Sequence, residues 1–351
     1  MRTTRIRPVA ALLATLCLLV AGCGAFGERP SGGGGGGGGP TTIRLGLPTG
    51  VTSFANADIV VAQQKGFLAD AGLTVQTQNL RSGVSVVQGV VGGALDVGAA
   101  SIEPVINAAA GGGDVTIIGA YTDRLAVSAV TPSSIQRPTD LRGKRLGVQE
   151  VGAFREVMTR LVLKAGGLTP RDAQYVPVDA QNYASALVDG RIQSAILQTE
   201  QGIAAIHQDP NLHVLVNLAD VVPNYYYGTY FVSRSWLEHN PDAATKLLTA
   251  ITRAHRFMYE NKAETVKIVA GATKFDESVI SEAYDELLGR QGVFPVNTGL
   301  DRTRIEATVA TMRELGILDR DPPPYEQLVD PGPVSAAVST LGERRGDPRW
   351  R

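Results

Sequence analysis

The chain has 351 residues, of which 44% are hydrophobic and 19% are charged, and its formal net charge is −1 at pH 7. This length suffices for two domains with buried cores, and the near-neutral charge argues against a nucleic-acid partner, which requires a basic surface. The two cysteines, Cys17 and Cys23, both lie near the amino terminus. We therefore expect the remaining chain to be held by packing alone, without a disulfide or a thiolate site.

Residues 1–22 have the pattern of a secretory signal peptide. Arg2, Arg5 and Arg7 precede a nearly unbroken apolar run from Val9 to Val20, and no acidic residue interrupts them. This run is too short to cross a hydrocarbon core of ~30 Å as a helix, which needs about 20 residues. It has the length of the apolar segment of a signal peptide. Removal of residues 1–22 takes the formal charge from −1 to −4.

Cys23 directly follows the small residues Ala21 and Gly22. This order of cationic segment, apolar segment, small residues and cysteine resembles a bacterial lipobox, in which the cysteine is acylated. An ordinary secretory signal followed by a chance cysteine is the alternative. Lipid on Cys23 would anchor the protein to the cell membrane on its extracytoplasmic face without a membrane-spanning helix.

A glycine-rich segment, residues 23–41, follows the predicted cleavage site. It contains eight consecutive glycines from Gly32 to Gly39. Such a sequence cannot bury enough apolar area to offset its backbone entropy, so we predict a flexible tether. Its root-mean-square reach is on the order of 20–25 Å.

Predicted strands and helices alternate from Thr42 onward. Ile43–Leu47 is the first predicted strand, and a helix from Ala57 to Lys65 follows, with Gly66 suited to its carboxyl-terminal cap. A second helix is predicted to start at Ser82. Alternation of this kind indicates an α/β fold. The further strands predicted in this half are 73–77, 96–100 and 115–120.

The same pattern returns after a break near Pro132–Pro138. Strands are predicted around 145–149, 175–178 and 192–197, with helices at 154–164 and 183–188. The segment Gly93–Gly98 resembles Gly190–Ala195, and each separates a helix from a short strand. Two lobes of similar construction are the simplest interpretation.

The last third of the chain is predicted to be mostly helical. Tyr226–Val232 is interpreted as a strand that returns the chain to the first lobe. Because the sequence after Pro322 is rich in proline with scattered charge, we expect residues 331–351 to be loose. The predicted helices are 241–260, 264–270, 277–288 and 303–315.

Five short segments carry a resemblance to a known family. They are Val61–Leu68 with Ala71–Val75, Gly93–Gly98, Asp140–Arg145, Ala165–Pro170 and Asn240-Pro241. Together they resemble the solute-binding proteins of ABC importers, specifically the nitrate/sulfonate/taurine group, which shares its fold with binders of thiamine pyrimidine precursors. The resemblance spans roughly Thr42 to Leu318. One departure is Gln193, where the family usually carries Asp.

The resemblance implies a hinged, two-lobed type II periplasmic-binding-protein fold, in which each lobe is a mixed sheet flanked by helices. Lobe I would comprise residues 42–130 and 228–330, and lobe II would comprise residues 131–227. The resemblance also implies a monomer without cofactor or metal. Such a protein captures a small organic solute between its lobes and delivers it to an ABC permease in the membrane.

Ligands of open α/β sheets bind beyond the carboxyl ends of the strands. Helix amino termini in these places bind anions through backbone N–H groups and the helix dipole. The loops concerned are 49–56, 82–83, 101–103, 150–154 and 198–200. The predicted ligand donors are Thr52, Ser53, Ser82, Ser101 and the Gly152 amide, with Thr199 in the last loop. Alternatively, Ser82 and Ser101 only cap their helices.

Aromatic and acidic side chains in the same regions leave the ligand class open. Phe54 and Tyr226 are candidates for covering an apolar or planar part of the ligand. Glu103, Glu150 and Glu200 would repel an anion but could accept from an ammonium or an aminopyrimidine. A sulfonate, nitrate, a taurine-like zwitterion and a pyrimidine precursor therefore all remain candidate ligands.

Two rival functions belong to different classes. An enzyme on the same fold would have to rely on carboxylates, because the four histidines, His207, His213, His239 and His255, show no metal-binding spacing and no nucleophile elbow or phosphate-binding loop occurs. A sensory protein that signals to a membrane kinase would close in the same way and differ only in its partner.

Overall fold

The computed structural model describes residues 40–48, 53–179, 182–318 and 320–350. The predicted signal peptide, Cys23, nearly all of the tether and Thr52 lie outside the described residues. None of the helices within the described ranges has the length and apolar character of a membrane span. The strands are β1 (Thr41–Pro48), β2 (Leu73–Leu80), β3 (Val97–Ser101), β4 (Thr116–Ala120), β5 (Val127–Pro132), β6 (Arg145–Val148), β7 (Gln174–Pro177), β8 (Ser194–Gln198), β9 (Leu212–Asn217) and β10 (Gly228–Val232).

Helices flank these strands and make up most of the chain after β10. Short 3-10 helices occur at 54–56, 138–141 and 170–172, and a π-helix at 285–291. The α-helices are α1 (Ala57–Gln64), α2 (Phe67–Asp70), α3 (Gly83–Val91), α4 (Ile102–Ala110), α5 (Phe154–Ala165), α6 (Tyr183–Val188), α7 (Thr199–Gln208), α8 (Leu218–Val221), α9 (Arg234–His239), α10 (Pro241–Glu260), α11 (Lys262–Thr273), α12 (Glu277–Tyr284), α13 (Arg302–Glu314), α14 (Tyr325–Leu328) and α15 (Gly332–Leu341).

Two five-stranded mixed sheets form the two lobes, and they confirm the predicted α/β fold. The first sheet has the order β2-β1-β3-β10-β4 and the second has the order β7-β6-β8-β5-β9. In the first, β1 is parallel to β2 and β3, whereas β10 is antiparallel to β3 and β4. The second sheet has the same pattern, with β6 parallel to β7 and β8 and with β5 antiparallel to β8 and β9. The internal similarity of the sequence therefore reflects a repeated topology.

The turn before the third strand of each sheet shows the repeat at atomic detail. In lobe I, Asp96 accepts from the Arg44 N–H at 2.7 Å and donates its own N–H to the Arg44 carbonyl at 2.9 Å. In lobe II, the Gln193 side-chain oxygen accepts from the Arg145 N–H at 2.9 Å, and the Gln193 N–H donates to the Arg145 carbonyl at 2.7 Å. The glutamine oxygen thus takes the place of a carboxylate oxygen, and the turn is retained.

The structure moves the first lobe boundary toward the amino terminus and leaves the second at residue 228. Val127–Pro132 is a strand of the second sheet, so the chain enters lobe II after Ala120 and before Val127 rather than at residue 131. Pro132 ends this strand, and this proline and the polar turn beyond it are the features that predicted a break near Pro132–Pro138. The return strand begins at Gly228 rather than Tyr226, because the three tyrosines before it form the crossing itself.

The carboxyl-terminal region differs from the expected loose tail. Residues 332–341 form α15, in which Val334 and Ala337 are buried against α10. Pro333 lies in the first turn of this helix, where proline is tolerated because the N–H it lacks has no intrahelical partner. Proline content therefore marks helix starts in this region rather than disorder.

Gly228, the first residue of β10, allows the Tyr121 ring to lie directly on the backbone. A Cβ atom at this position would come within 2.3 Å of the ring atoms. We predict that Gly228→Ala lowers the free energy of unfolding by roughly 1–3 kcal/mol through overpacking. Thermal unfolding should show a melting temperature several degrees lower.

Gly271→Ala is the matched control for this prediction. Gly271 lies on the exposed side of α11, and nothing lies within 4 Å of the Cβ that alanine would add. Because alanine favours helix, this control should be neutral or stabilising by up to about 1 kcal/mol. Equal melting temperatures for the two variants would contradict the prediction.

Candidate functional site

The carboxyl ends of strands from both sheets meet around one cavity of about 70 Å³. This volume holds only a few water-sized molecules, so the cavity suits a small ligand. All five loops predicted from the strand ends contribute to its wall. Their contributions are Ser53 and Asn56, then Ser82 and Gly83, then Ser101, then Ala153 and Phe154, and finally Gln198.

Three of the predicted serines line the cavity, and they differ in what else they do. Ser53 and Ser82 both cap helices, accepting from the N–H of Ala55 at 3.1 Å and of Ser85 at 3.3 Å. Ser101 lies at the end of β3 before α4 and makes no side-chain cap bond. The Ser53 hydroxyl is hydrogen-bonded to the Glu200 carboxylate, and the Ser101 hydroxyl to the Glu103 carboxylate. The Ser82 hydroxyl lies 3.3 Å from that of Ser85, and either of the two can donate.

Phe54 and Tyr226 lie in the hydrophobic core. The Phe54 ring packs between Tyr284 and Phe294, with centroid distances of 6.4 Å and 6.1 Å. Tyr226 is fully buried in a separate apolar cluster, and its N–H donates to the Thr308 hydroxyl at 2.8 Å. The structure therefore corrects the placement of both aromatic candidates. Tyr227 lines the cavity instead, because alternate side chains of an extended segment point to opposite sides.

Glu150, Gly152 and Thr199 also lie outside the cavity wall. Glu150 is half-buried in the loop before α5. The Gly152 N–H, predicted to bind the ligand, donates to the Glu156 carboxylate at 3.1 Å. The Thr199 hydroxyl donates to the Ala126 carbonyl at 3.0 Å, which fixes the start of α7 to the crossing segment.

Glu103 and Glu200 occupy equivalent positions in the two lobes, each in the first turn of the helix after the third strand. Both are buried, and both are turned toward protein groups. Glu103 accepts from the Tyr225 hydroxyl at 2.6 Å. Glu200 accepts from the Phe54 N–H of the opposite lobe at 3.2 Å and is hydrogen-bonded by Ser53. Burial raises the pKa of both carboxyls above the usual value for glutamate.

Arg155 is the one charged residue among the described residues that line the cavity. It is buried, with 8% of its surface exposed. Its guanidinium donates to the Ile196 carbonyl and, at 3.2 Å, to the Gln201 side-chain oxygen, and it lies 4.7 Å from the centre of the Tyr183 ring. Within the described ranges, Arg155 forms no direct ion pair with a carboxylate within 4.0 Å. The Glu200 carboxylate interacts with it electrostatically from a greater distance. A buried cation that lacks a direct ion pair is costly, so an anion in the cavity would be stabilised by it.

Aromatic side chains from the crossing segments and lobe II form the apolar part of the wall. The rings of Phe154 and Tyr227 lie 4.4 Å apart at 33°, and Tyr121 packs edge-on to Tyr227 at 5.7 Å. The Tyr227 hydroxyl accepts from the Gln198 side-chain amide at 2.8 Å. Burial raises the pKa of Tyr227 to about 12. The phenol therefore keeps its proton at neutral pH and can donate it.

Sequence reasoning missed Arg155, Gln201, Tyr121 and Tyr227. One signal was present for Arg155: it follows Phe154 in the first helical turn, where the helix dipole favours an acidic residue and opposes a cation. Gln201 gave no signal beyond its position near the start of α7. Tyr227 could not be assigned because adjacent residues in the Tyr225–Tyr227 run differ only in register. Tyr121, a single tyrosine between Ala120 and Thr122, gave no signal.

The histidines are not part of the cavity wall. His255 is buried between the Pro295 carbonyl at 2.6 Å and the Asp58 carboxylate at 3.2 Å, where it joins α10 to α1. His213 contacts the Ile135 carbonyl at 2.8 Å. Among the described residues, there is no group of histidine, cysteine and acidic side chains arranged to hold a metal ion.

A family model described as NMT1/THI5 like matches residues 53–265, which is more than half of the chain and includes most of this cavity. The chain belongs to the NMT1/THI5-like family. This confirms the resemblance found in the sequence. The cavity described above lies between the two lobes of this NMT1/THI5-like protein.

Relatives from three organisms show the range of this family. A Brucella abortus protein named as a candidate binding protein is 26% identical over 222 residues, covering 62% of this chain and 68% of the relative. A Bacillus subtilis protein named as a candidate aliphatic sulfonates-binding protein is 24% identical over 276 residues, covering 77% and 79%. The 4-amino-5-hydroxymethyl-2-methylpyrimidine phosphate synthase of Candida albicans is 26% identical over 225 residues, covering 59% and 64%.

Solved structures show the same fold. The alkanesulfonate-binding protein SsuA from Xanthomonas axonopodis pv. citri, bound to MOPS, superposes with a TM-score of 0.69 at 19% identity, covering 84% of this chain and 99% of that protein. The nitrate-binding protein NrtA from Synechocystis PCC 6803 superposes with a TM-score of 0.69 at 15% identity, covering 87% and 90%. At these identities the similarity establishes the periplasmic-binding-protein fold.

Glu103→Gln tests the electrostatic role of the buried acid in lobe I. Because burial raises the Glu103 pKa, the folded protein holds this proton more tightly than the unfolded chain does. Stability therefore falls as the pH rises from the usual glutamate range through the raised pKa. The glutamine can still accept from Tyr225, so we predict that the variant unfolds at a higher temperature than wild type at pH 8 and that the difference shrinks toward pH 4.

Thermal melts between pH 4 and pH 8 measure this effect. Glu238→Gln, at an exposed position on α9, serves as the control and should follow the wild-type pH profile. A Glu103→Gln profile parallel to that of wild type would show that burial does not perturb this carboxyl.

Proposed function

We propose that this protein is an extracytoplasmic solute-binding lipoprotein of an ABC importer and that its ligand is a small organic or inorganic oxyanion, such as a sulfonate or nitrate. The observation that carries the proposal is the Arg155 guanidinium, buried at the cavity without a carboxylate partner among the described residues. A bound oxyanion would supply the missing negative charge. The printed names of the sulfonate-binding and nitrate-binding relatives support the same ligand class.

Donors for such an anion come from both lobes. Arg155 belongs to lobe II, whereas the Ser82 hydroxyl belongs to lobe I. A ligand held by both therefore contacts the two lobes at once. Ligand binding then favours the closed state by its additional affinity for that state.

An enzyme on the same fold is the alternative function, because one relative is the Candida albicans synthase. The described wall of the cavity contains hydroxyls, amides, aromatic rings and one guanidinium, with neither a carboxylate nor a histidine. General acid–base catalysis normally uses such groups within hydrogen-bond reach of the substrate. This composition favours binding over catalysis.

The lipobox-like sequence supports a proposed location, and the family supports a proposed partner. We propose that lipid on Cys23 holds the protein at the outer face of the cell membrane and that the segment from Cys23 to the start of β1 lets the lobes reach a membrane permease. We propose that the protein acts as a monomer and that the permease receives the ligand from the closed lobes. A lipid anchor with a flexible tether keeps the binding protein close to its permease.

Arg155→Met tests the ligand class. The substitution removes the charge but retains most of the side-chain volume, so affinity for the anion should fall by about 30-fold or more, the size expected when one partner of a buried charged pair is removed. Without ligand the variant should be as stable as wild type or more stable, since a buried charge has been replaced by an apolar group. Calorimetric titration and thermal shift with alkanesulfonates, nitrate and bicarbonate measure both effects.

Arg171→Met is the control, because Arg171 is exposed on the same lobe. This control should bind as wild type does. In the wild type, a ligand at about 100 times its Kd adds roughly 2.7 kcal/mol to the unfolding free energy. An unchanged anion affinity in Arg155→Met would exclude the proposed role of the guanidinium, and ligand converted to a product during the titration would show an enzyme.

Cys23→Ser tests the proposed anchor. In a bacterial host that acylates lipoproteins, the full-length wild-type protein should fractionate with membranes and carry a diacylglycerol mass increment on Cys23. The serine variant should lose both properties, because serine provides no thiol for acylation. Membrane association that persists unchanged in the serine variant would contradict a lipid anchor at this position.

A further inference from the structure

The start of α7 fixes the Gln201 side chain in one orientation. The Gln198 N–H donates to the Gln201 side-chain oxygen at 3.2 Å. Backbone N–H groups can only donate, so the Gln201 amide must present its oxygen to the helix start. The orientation of this amide, which is usually ambiguous, is thereby determined.

With the Gln201 oxygen committed to the helix start, its NH2 group is available in another direction. The Gln198 NH2 donates to the Tyr227 hydroxyl at 2.8 Å. The Gln201 oxygen accepts a second bond, from Arg155 at 3.2 Å, so Gln201 offers the cavity donors only. Within the described residues, the Gln201 NH2 group has no protein acceptor, and Gln201 lines the cavity. The side chain is buried, with 9% of its surface exposed.

Tyr227 lies beside this donor set, at the crossing between the lobes. Its hydroxyl accepts from the Gln198 side-chain amide and is also hydrogen-bonded to Tyr121. The lobe II side of the cavity thus presents a guanidinium and an amide NH2 group. Each of these two groups matches a hydrogen-bond acceptor, and each opposes an ammonium.

We propose that Gln201 is a specificity-determining residue that, together with Arg155, selects oxyanions without an amino group over zwitterions such as taurine. The inference rests on the proposed function of an anion-binding protein and names its ligand class more narrowly. The acids that could have paired with an ammonium do not line the cavity: Glu103 accepts from the Tyr225 hydroxyl, and Glu200 accepts from the Phe54 N–H. An ammonium in the cavity would lie near Arg155, with no carboxylate in the described wall to pair with it.

A nearly isosteric pair of probes tests this selection. Isethionate and taurine share an ethanesulfonate frame and differ in a terminal hydroxyl or ammonium group. For the wild-type protein, calorimetric titration at pH 7 should give an affinity for isethionate at least ~10-fold higher than for taurine. Equal affinities or a preference for taurine would overturn the inference.

Gln201→Glu reverses the hydrogen-bonding character of this position while it keeps the helix cap. Glutamate is a favoured residue at this place in a capping box and suits the positive end of the helix dipole, so the variant should fold at least as stably as wild type. It brings a carboxylate next to Arg155, so isethionate affinity should fall by ~10-fold or more. The isethionate-to-taurine ratio should shrink or invert. An unchanged ratio in a variant with a normal melting temperature would overturn the inference.

Gln208→Glu provides the matched control, because it makes the same substitution at the exposed end of α7. It should leave both affinities at their wild-type values, so a loss of binding in this control would mean that charge on α7 acts at a distance and would count against a local role for Gln201. Different results would overturn the proposed function and this inference. If the wild type binds neither sulfonate nor nitrate, the proposed function and this inference both fall. If it binds them without discrimination against taurine, the proposed function stands and only this inference falls.

Discussion

The Arg155 guanidinium, buried at the cavity without a carboxylate in reach among the described residues, is the constraint on which the site depends. Two protein oxygens and the face of one tyrosine solvate it. Oxygen dipoles reduce the cost of a buried charge but do not cancel it. A ligand of opposite charge could supply the remaining stabilisation of the guanidinium. In a small cavity with one such cation, the charge of a ligand would affect its affinity more than its shape does.

The repeated topology explains why the surrounding groups converge on this point. Each lobe places its third strand against the start of a helix, at Ser101 in lobe I and at Gln198 in lobe II. The following glutamates, Glu103 and Glu200, are equivalent and buried in both lobes, yet neither reaches the cavity. The two lobes therefore place different groups at the cavity. Lobe I contributes serine side chains, and lobe II contributes the cation and glutamine amides.

The sequence predicted the layers, the two-lobed repeat and the loops that meet at the cavity, because these follow from periodicity and from the rule for strand ends. It could not predict which face each side chain would present within those loops. Tyr226 and Tyr227 differ by one position of register, and only packing against Thr308 and Phe154 decides between them. The expectation of a loose tail was wrong because it rested on proline content and scattered charge after Pro322, whereas the apolar face of α15 packs against α10.

The division of labour between the lobes also bears on how closure is coupled to the ligand. An anion on Arg155 alone would remain partly hydrated, since lobe II supplies only part of its coordination. On the proposed function, the Ser82 hydroxyl would complete the shell only when lobe I approaches, and that additional affinity would be the free energy available for closing. Glu200 already joins the lobes without ligand, because it accepts from the Phe54 N–H across the cleft. Closure would then depend on two contacts of different kinds, one provided by the protein and one that only the ligand completes.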